Sequence, residues 1–164
     1  MLIATLLLAS TFTRPMEKVS TMDPIHAGGV YDSRAIHLVY EPPLEIDYYA
    51  RPYRLRPGFC ELPEVSADGL VYTFRVQKGV PLGAKDMGRS LERLRDPKIL
   101  SPNGWMLKEV TTMRAIDERT AEIRLKRRQH VFPYLMAMSP AMMAQRLRML
   151  PIRILWNIIF SPGT

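Results

Sequence analysis

The clearest pattern in the chain is an alternation of apolar and polar side chains over residues 70–77. Successive side chains of a β-strand point to opposite faces, so this alternation predicts a strand at 71–76 in a sheet with one buried face. The side chains expected on the buried face are those of Leu70, Tyr72, Phe74 and Val76.

The segment after this strand has apolar residues at the spacing typical of a helix. Met87, Leu91 and Leu94 share one face of a helix predicted over 86–95, which Asp96-Pro97 ends. Two apolar segments at 110–116 and 120–125, joined by three polar residues, predict a β-hairpin. The other predicted elements are strands at 16–22 and 44–49, a helix from an N-cap at Ser33 to about Glu41, an extended connection at 51–63, and a helix at 130–138.

Composition limits the size and class of the fold. The chain has 164 residues, of which 47% are hydrophobic, and this is enough apolar material for one ordinary core. Its 14 prolines and 9 glycines divide the chain into short elements. The sequence therefore predicts a single mixed α/β domain rather than a helical bundle.

The net charge of +7 is compatible with a polyanionic partner but does not select one. The basic residues are dispersed except at Lys126, Arg127 and Arg128, and the usual meaning of such a trio is a solvated rim. An alternative function is nevertheless that of a small basic protein, which would associate with an anionic membrane or nucleic acid through this trio and the C-terminal tail.

Residue types that carry catalysis are scarce. Cys60 is the single cysteine, so we expect it to be a packing residue and not a nucleophile. His26, His37 and His130 are isolated, and no serine-nucleophile, phosphate-loop or zinc-protease motif is present. His37 and Glu41 would lie one helical turn apart, but two ligands are weak support for a metal site. The sequence predicts no enzyme, no cofactor and no metal.

The N-terminus begins with an apolar run over residues 2–9, which has the length of a signal-peptide core. No lysine or arginine precedes the run, and Thr11 stands where a lipid-bearing cysteine would be needed. We interpret residues 1–13 as a candidate signal-peptide remnant. A buried strand or a wrongly assigned start is the equal alternative.

Several segments together resemble a known family. They are Met22-Asp23-Pro24, the residues 40–45, the strand region 65–80, and Lys85-Asp86 followed by 90–94. In this order they are similar to the N-terminal region of extracellular solute-binding proteins of family 5, the peptide, nickel and oligosaccharide receptors of bacterial ABC importers. The resemblance implies a partial type II periplasmic-binding-protein fold, comprising the N-terminal part of lobe I and the small domain.

The resemblance also implies partners and a location. It implies capture of a peptide or oligopeptide-like solute, delivery to ABC permease subunits, no role for nucleic acid, and a periplasmic or cell-envelope location. Residues 14–140 would form the N-terminal portion of the solute-binding domain.

Five residues match positions that the resemblance places near ligand. Gly28, Gly29 and Val30 correspond to a loop that lines the cleft and pairs its backbone with an extended peptide; a flexible turn is the alternative. Some receptors have a ligand-facing aromatic residue after the Ser101-Pro102 step, where this chain has Asn103, with Trp105 two positions later. Trp105 would then line the cleft or, as the spacing favours, pack in the core beside Leu107.

The chain also departs from the family pattern. Only residues 81–84 separate the strand region from the following helix, where family members have a longer connection. We expect the resemblance to stop after Pro140, with residues 141–164 forming a divergent basic and apolar tail. We also expect the second lobe to be absent, and we therefore predict weak ligand binding or none.

Overall fold

The computed structural model describes residues 18–144. Residues 1–13 and most of the predicted tail therefore lie outside the described part. The strands are β1 (Tyr40–Glu41), β2 (Leu44–Asp47), β3 (Arg54–Pro57), β4 (Glu64–Val65), β5 (Val71–Arg75), β6 (Val110–Ala115), β7 (Thr120–Leu125) and β8 (Met143–Ala144). The helices are α1 (Val30–Ile36), α2 (Ala84–Arg95) and α3 (Phe132–Leu135), with 3-10 turns at Pro24–His26, Gly104–Leu107 and Ser139–Ala141.

The main sheet has four antiparallel strands in the order β4-β5-β7-β6. Tyr72 stands opposite Ile123, and Phe74 stands opposite Ala121, with all four side chains buried. Val76, which follows β5, is buried on the same side. The predicted strand at 71–76 and the predicted hairpin of 110–116 with 120–125 are thus confirmed.

Helix α2 covers the buried face of this sheet, as its apolar spacing predicts. It contacts both β6 and β7, and Met87, Leu91 and Leu94 are buried. The Asp86 carboxylate accepts a hydrogen bond of 3.0 Å from the N–H of Gly83, the residue before the helix, and so satisfies one of its unpaired N-terminal donors.

The predicted extended connection at 51–63 is wrong in part, because β3 returns along β2 as a hairpin with Leu44 opposite Pro57. Gly58 then passes very close to the backbone of Pro42. A β-carbon at Gly58 would lie 2.2 Å from the Pro42 carbonyl oxygen, so only glycine fits there. Cys60 is fully buried, and burial raises the pKa of its thiol to about 12, in agreement with a packing role.

The helix predicted from Ser33 to about Glu41 is displaced. Helix α1 begins directly after Gly29 and ends at Ile36, while Tyr40–Glu41 forms β1 and pairs with β8. Two effects keep the C-terminal end of the predicted helix from forming: Pro42 disfavours a helical conformation at Glu41, and β8 offers Glu41 a strand partner. The strand predicted at 16–22 is likewise wrong over 18–22, where no strand forms, and residues 16–17 lie outside the described part.

The C-terminal part of the described chain closes over the core. Helix α3 is shorter than the predicted 130–138, but Phe132 and Met136 are buried, and the Phe132 ring lies 5.0 Å from that of Tyr72. Ala141 and Met142 are also buried. Because β8 follows them, the fold continues beyond Pro140, where the divergent tail was predicted to start. Within residues 18–144 no helix has the length and apolarity needed to cross a bilayer.

Candidate ligand-binding surface

The predicted ligand loop follows the 3-10 turn Pro24–His26, and an ion pair fixes the start of this turn. The Asp23 carboxylate accepts a hydrogen bond of 3.4 Å from the Ile25 N–H, as an N-cap residue does. The Arg93 Nη2 atom of α2 lies 2.6 Å from the Asp23 Oδ2 atom. The entry to the loop is thus tied to the helix that covers the main sheet.

Asn103 supports the same loop from the other side. Its Nδ2 atom donates to the carbonyl oxygens of Ile25, at 3.1 Å, and Ala27, at 2.9 Å. The Ser101 hydroxyl donates to the same Ile25 oxygen at 2.6 Å. Both amide hydrogens of Asn103 are thereby engaged in holding the loop, so its Oδ1 atom is the group left for a ligand.

Gly28, Gly29 and Val30 are all exposed at the start of α1. The Gly29 carbonyl accepts from the Ser33 N–H at 3.0 Å, which is the first turn of the helix. Within residues 18–144 neither the Gly28 carbonyl nor the Gly29 N–H has a backbone partner. These two groups stand free of side-chain cover and are suited to pairing with an extended chain.

Asp32 anchors the far end of the loop. Its side chain is only 5% exposed and accepts hydrogen bonds from the Ser20 N–H at 2.7 Å, the Ser20 hydroxyl at 2.6 Å and the Thr21 N–H at 3.4 Å. The hydrogen bond from the Ser20 hydroxyl, with those from the backbone, holds the pKa of Asp32 below its usual value. Asp32 was not predicted from the sequence, although an acidic residue in the first turn of a helix is a recognisable signal.

Trp105 is 57% exposed, so the expectation of a core tryptophan is wrong. It lies in the 3-10 turn Gly104–Leu107, in which Met106 and Leu107 are the buried residues. The turn packs closely on α2, because a β-carbon at Gly104 would lie 2.8 Å from the Leu94 carbonyl oxygen. The indole is therefore available to a ligand or a partner, two residues beyond the Asn103 support.

The alternative function, association with an anionic membrane or nucleic acid through Lys126, Arg127 and Arg128, gains little support from the structure. Arg127 pairs with Glu109 at 2.9 Å, and Arg128 donates to the Asp68 carbonyl oxygen at 3.0 Å while packing against Gly69. Two of the three cations are thus engaged with the protein itself.

The structure separates His37 and Glu41, the pair that the sequence offered as a weak metal site. His37 caps α1 and its Nδ1 atom lies 2.7 Å from the Ser33 carbonyl oxygen, whereas Glu41 belongs to β1, so the two do not share a helix face. Residues 18–144 contain no cluster of histidine, cysteine and carboxylate side chains that would hold a metal ion. A groove of about 420 Å³ lies elsewhere, between Arg75 and Arg119, and shares no residue with the predicted ligand loop.

Comparison with known proteins gives a consistent result. Residues 54–156 match the family described as bacterial extracellular solute-binding proteins, family 5 Middle. The match extends past Pro140, so the expectation that the resemblance stops there is wrong. The chain is 36% identical to the Di/tripeptide-binding protein 2 of Pseudomonas aeruginosa strain UCBPP-PA14, in an alignment that covers 41% of the chain and 16% of that relative.

Solved structures show the same fold. The Escherichia coli murein tripeptide binding protein MppA superimposes with a TM-score of 0.71 at 22% identity, over 78% of this chain and 29% of MppA. The periplasmic binding protein DppA from Helicobacter pylori, in complex with the peptide STSA, gives a TM-score of 0.66 at 24% identity, over 76% of this chain and 28% of DppA. The chain therefore has a partial periplasmic-binding-protein fold of mixed helix and sheet and spans less than a third of these relatives.

Proposed function

Because the chain belongs to the bacterial extracellular solute-binding proteins of family 5, we propose that it is part of the substrate-binding component of an ABC importer that captures peptides. The proposed partners are a peptide or similar solute and the permease subunits that receive it. Nucleic acid has no part in this function, and the proposed location is the periplasm or the cell envelope.

One observation carries the proposal: the exposed backbone at Gly28 and Gly29 belongs to a loop that three side chains fix in place. Arg93 pairs with Asp23 before the loop, Asn103 holds it from the side, and Asp32 anchors its far end. A loop that is already ordered loses little conformational entropy when a ligand binds, so backbone hydrogen bonds to an extended peptide yield more net affinity.

The chemistry of such a surface is recognition and not bond cleavage. Backbone groups accept peptides of different sequence, because they read the peptide main chain, while a nearby exposed indole such as that of Trp105 offers a contact for one ligand side chain. Family members of this kind release ligand unchanged after their two lobes open about a hinge. No group with a catalytic arrangement is needed for this cycle.

The proposal includes weak binding by the 164-residue chain on its own. Receptors of this fold hold ligand between two lobes, and the chain spans 28% to 30% of the solved structures that it matches. Residues 18–144 supply one wall of such a cleft. We propose that residues 14–140, together with the residues of the fold up to 144, form this solute-binding portion.

Calorimetric titration with a library of short peptides tests this function. We expect heats that do not saturate below millimolar peptide, and little change of affinity between low and physiological salt, because the contacts are backbone hydrogen bonds and not phosphate or lipid pairing. Micromolar or tighter affinity would overturn the proposed weak binding. Steep salt dependence would overturn the backbone mode and favour the basic-protein alternative.

A further inference from the structure

The β2–β3 hairpin ends in a tip at residues 48–53 that presents tyrosines to solvent. Tyr49 is 99% exposed, and Tyr48 and Tyr53 are exposed to at least half of their surface. Large aromatic side chains contribute strongly to association when they are buried, and three of them on one short turn form a concentrated contact surface.

The tip is ordered and not a loose loop. The Asp47 carboxylate accepts hydrogen bonds from the N–H groups of Tyr49, at 2.9 Å, and Ala50, at 3.3 Å. The rings of Tyr48 and Tyr53 meet edge to face with centroids 5.7 Å apart. The Tyr134 hydroxyl of α3 donates to the Tyr53 carbonyl oxygen at 3.3 Å, which fixes the hairpin on the domain.

Positively charged side chains lie in the same hairpin as these tyrosines. The Arg51 guanidinium lies 4.4 Å from the centroid of the Tyr53 ring, and Arg54 begins β3 beside it. Arg56 is neutralised by Glu45 at 2.6 Å. Arg51 donates to the carbonyl oxygens of Tyr48 and Ala50, which hold its guanidinium at the tip without neutralising its charge. Within residues 18–144 neither Arg51 nor Arg54 has a carboxylate at ion-pair distance.

We propose that this hairpin tip, residues 48–54, docks on an anionic lipid surface. Tyrosine is an amphipathic side chain that lies well at the boundary between headgroups and acyl chains, and an adjacent guanidinium pairs with lipid phosphate. The strength of peripheral membrane binding grows with the buried apolar area and with electrostatic attraction to anionic lipids, and the tip supplies both contributions. The net charge of +7 brings the whole molecule to a negative surface.

The docking surface is separate from the proposed ligand surface. The tip shares no residue with the loop 23–30 or with its supports at 93 and 101–103. Its hairpin is held on the domain by the Tyr134 hydroxyl and by the Leu44 N–H, which donates to the Met136 carbonyl oxygen at 3.3 Å. The inference therefore does not depend on peptide binding. It assigns to the hairpin the task of holding the protein at a membrane.

Sedimentation with vesicles tests the inference on the full chain. We expect binding to vesicles that contain phosphatidylglycerol and none to pure phosphatidylcholine vesicles. Removing both positive charges that lack a carboxylate partner, with Arg51→Gln and Arg54→Gln, should weaken binding about tenfold or more, since each surface arginine contributes about a fivefold factor. The pair Tyr48→Ser and Tyr49→Ser should also weaken it.

The matched control removes the same charge elsewhere. Arg89→Gln with Arg95→Gln, on the exposed face of α2, should change vesicle binding much less than the hairpin pair. An equal loss in both pairs would overturn a docking role for the tip, because it would show binding by total charge.

Residues 145–164 could bind vesicles by themselves, so a fluorescent label at a defined position is needed to show that the tip makes the contact. A polarity-sensitive dye on Ala50→Cys should shift its emission to the blue with anionic vesicles, and the same dye on Thr111→Cys in β6 should not. Native Cys60 is buried and its thiol stays protonated, so it does not take the label in the folded protein. No shift at position 50, or an equal shift at both positions, would refute the proposal.

Discussion

The Arg93 guanidinium lies 2.6 Å from the Asp23 carboxylate and connects α2 to the loop that carries Gly28 and Gly29. Both side chains are partly exposed, so the pair contributes only about 0–1 kcal/mol to the free energy of unfolding. The main effect of the ion pair is to hold the loop in position, because α2 packs on the main sheet whereas the loop does not pair with any strand in the described part of the chain.

Replacing Arg93 by Gln should therefore loosen the loop more than it destabilises the protein. We expect faster hydrogen exchange at the Ile25 and Ala27 amides, a change of less than about 1 kcal/mol in the free energy of unfolding, and unchanged exchange in β5. Arg95→Gln, on the same helix, is the control and should leave the loop amides unaffected. Equal effects of both variants would show that the ion pair does not position the loop.

Asn103→Asp should destabilise the loop more strongly, although the two side chains have nearly the same shape. A carboxylate cannot donate, so the carbonyl oxygens of Ile25 and Ala27 lose a partner and face a negative charge. We expect a loss of about 1–3 kcal/mol in urea unfolding.

Gln77→Glu is the matched control for this variant. It removes a comparable amide hydrogen bond, from Gln77 to the Gly58 carbonyl oxygen at 2.8 Å, without touching the loop. Exchange at Ala27 should rise with Asn103→Asp and not with Gln77→Glu. If Ala27 responds equally to both, Asn103 is not a specific support of the ligand loop.

Two glycines should respond to alanine in opposite ways. Gly58→Ala would place a β-carbon 2.2 Å from the Pro42 carbonyl oxygen, so we expect a loss of roughly 3 kcal/mol or more, or failure to fold. Gly88→Ala lies within α2 with no other atom in reach of the new methyl group, and we expect a gain of up to about 1 kcal/mol. Thermal unfolding of both variants measures this, and a tolerated alanine at Gly58 would contradict the β2–β3 hairpin geometry.

Acid should destabilise the anchor at Asp32. Its folded pKa is lowered, chiefly by the Ser20 hydroxyl, so the ionised carboxylate stabilises the fold above its unfolded pKa of 3.8. This contribution is lost as the pH falls through the folded pKa, because a protonated carboxyl is a weaker acceptor. In Asp32→Asn the loss should be present already at neutral pH and should not grow with acid. Parallel pH profiles for the two proteins, measured by urea unfolding, would contradict this role.

The elements that the sequence predicted well are those whose pattern is local. Alternation at β5 and helical spacing at α2 each depend on a few neighbouring residues, and both elements are confirmed. The β2–β3 hairpin was missed because its return strand is rich in arginine and proline and lies exposed, without an alternating apolar face. The end of α1 was misplaced because pairing with β8, about a hundred residues away, decides it.

The candidate site, like the fold, was predictable from the sequence only in part. Gly28, Gly29 and Val30 could be named from a motif, and the structure exposes all three where the loop runs into α1. Their supports could not be predicted, because Asp32 bonds to a residue 12 positions earlier and Arg93 to one 70 positions earlier. Asn103 was predicted as a ligand contact, and its amide hydrogens instead hold the loop. That ligand contact stays a prediction for its Oδ1 atom.

The central claim is that the Gly28–Gly29 backbone receives an extended peptide. The most direct measurement is a titration of the isotopically labelled protein with a short peptide, followed by the amide signals in NMR. We use Gly29→Val as the blocked variant, because the backbone at Gly29 is extended, as valine prefers, and a β-carbon there would have the Asp32 carboxylate at 3.7 Å as its nearest neighbour. The account predicts shifts centred on Gly28, Gly29 and Val30 at millimolar peptide, and their loss in Gly29→Val but not in Gly88→Ala. Shifts confined to other parts of the domain, or unchanged shifts in the blocked variant, would contradict it.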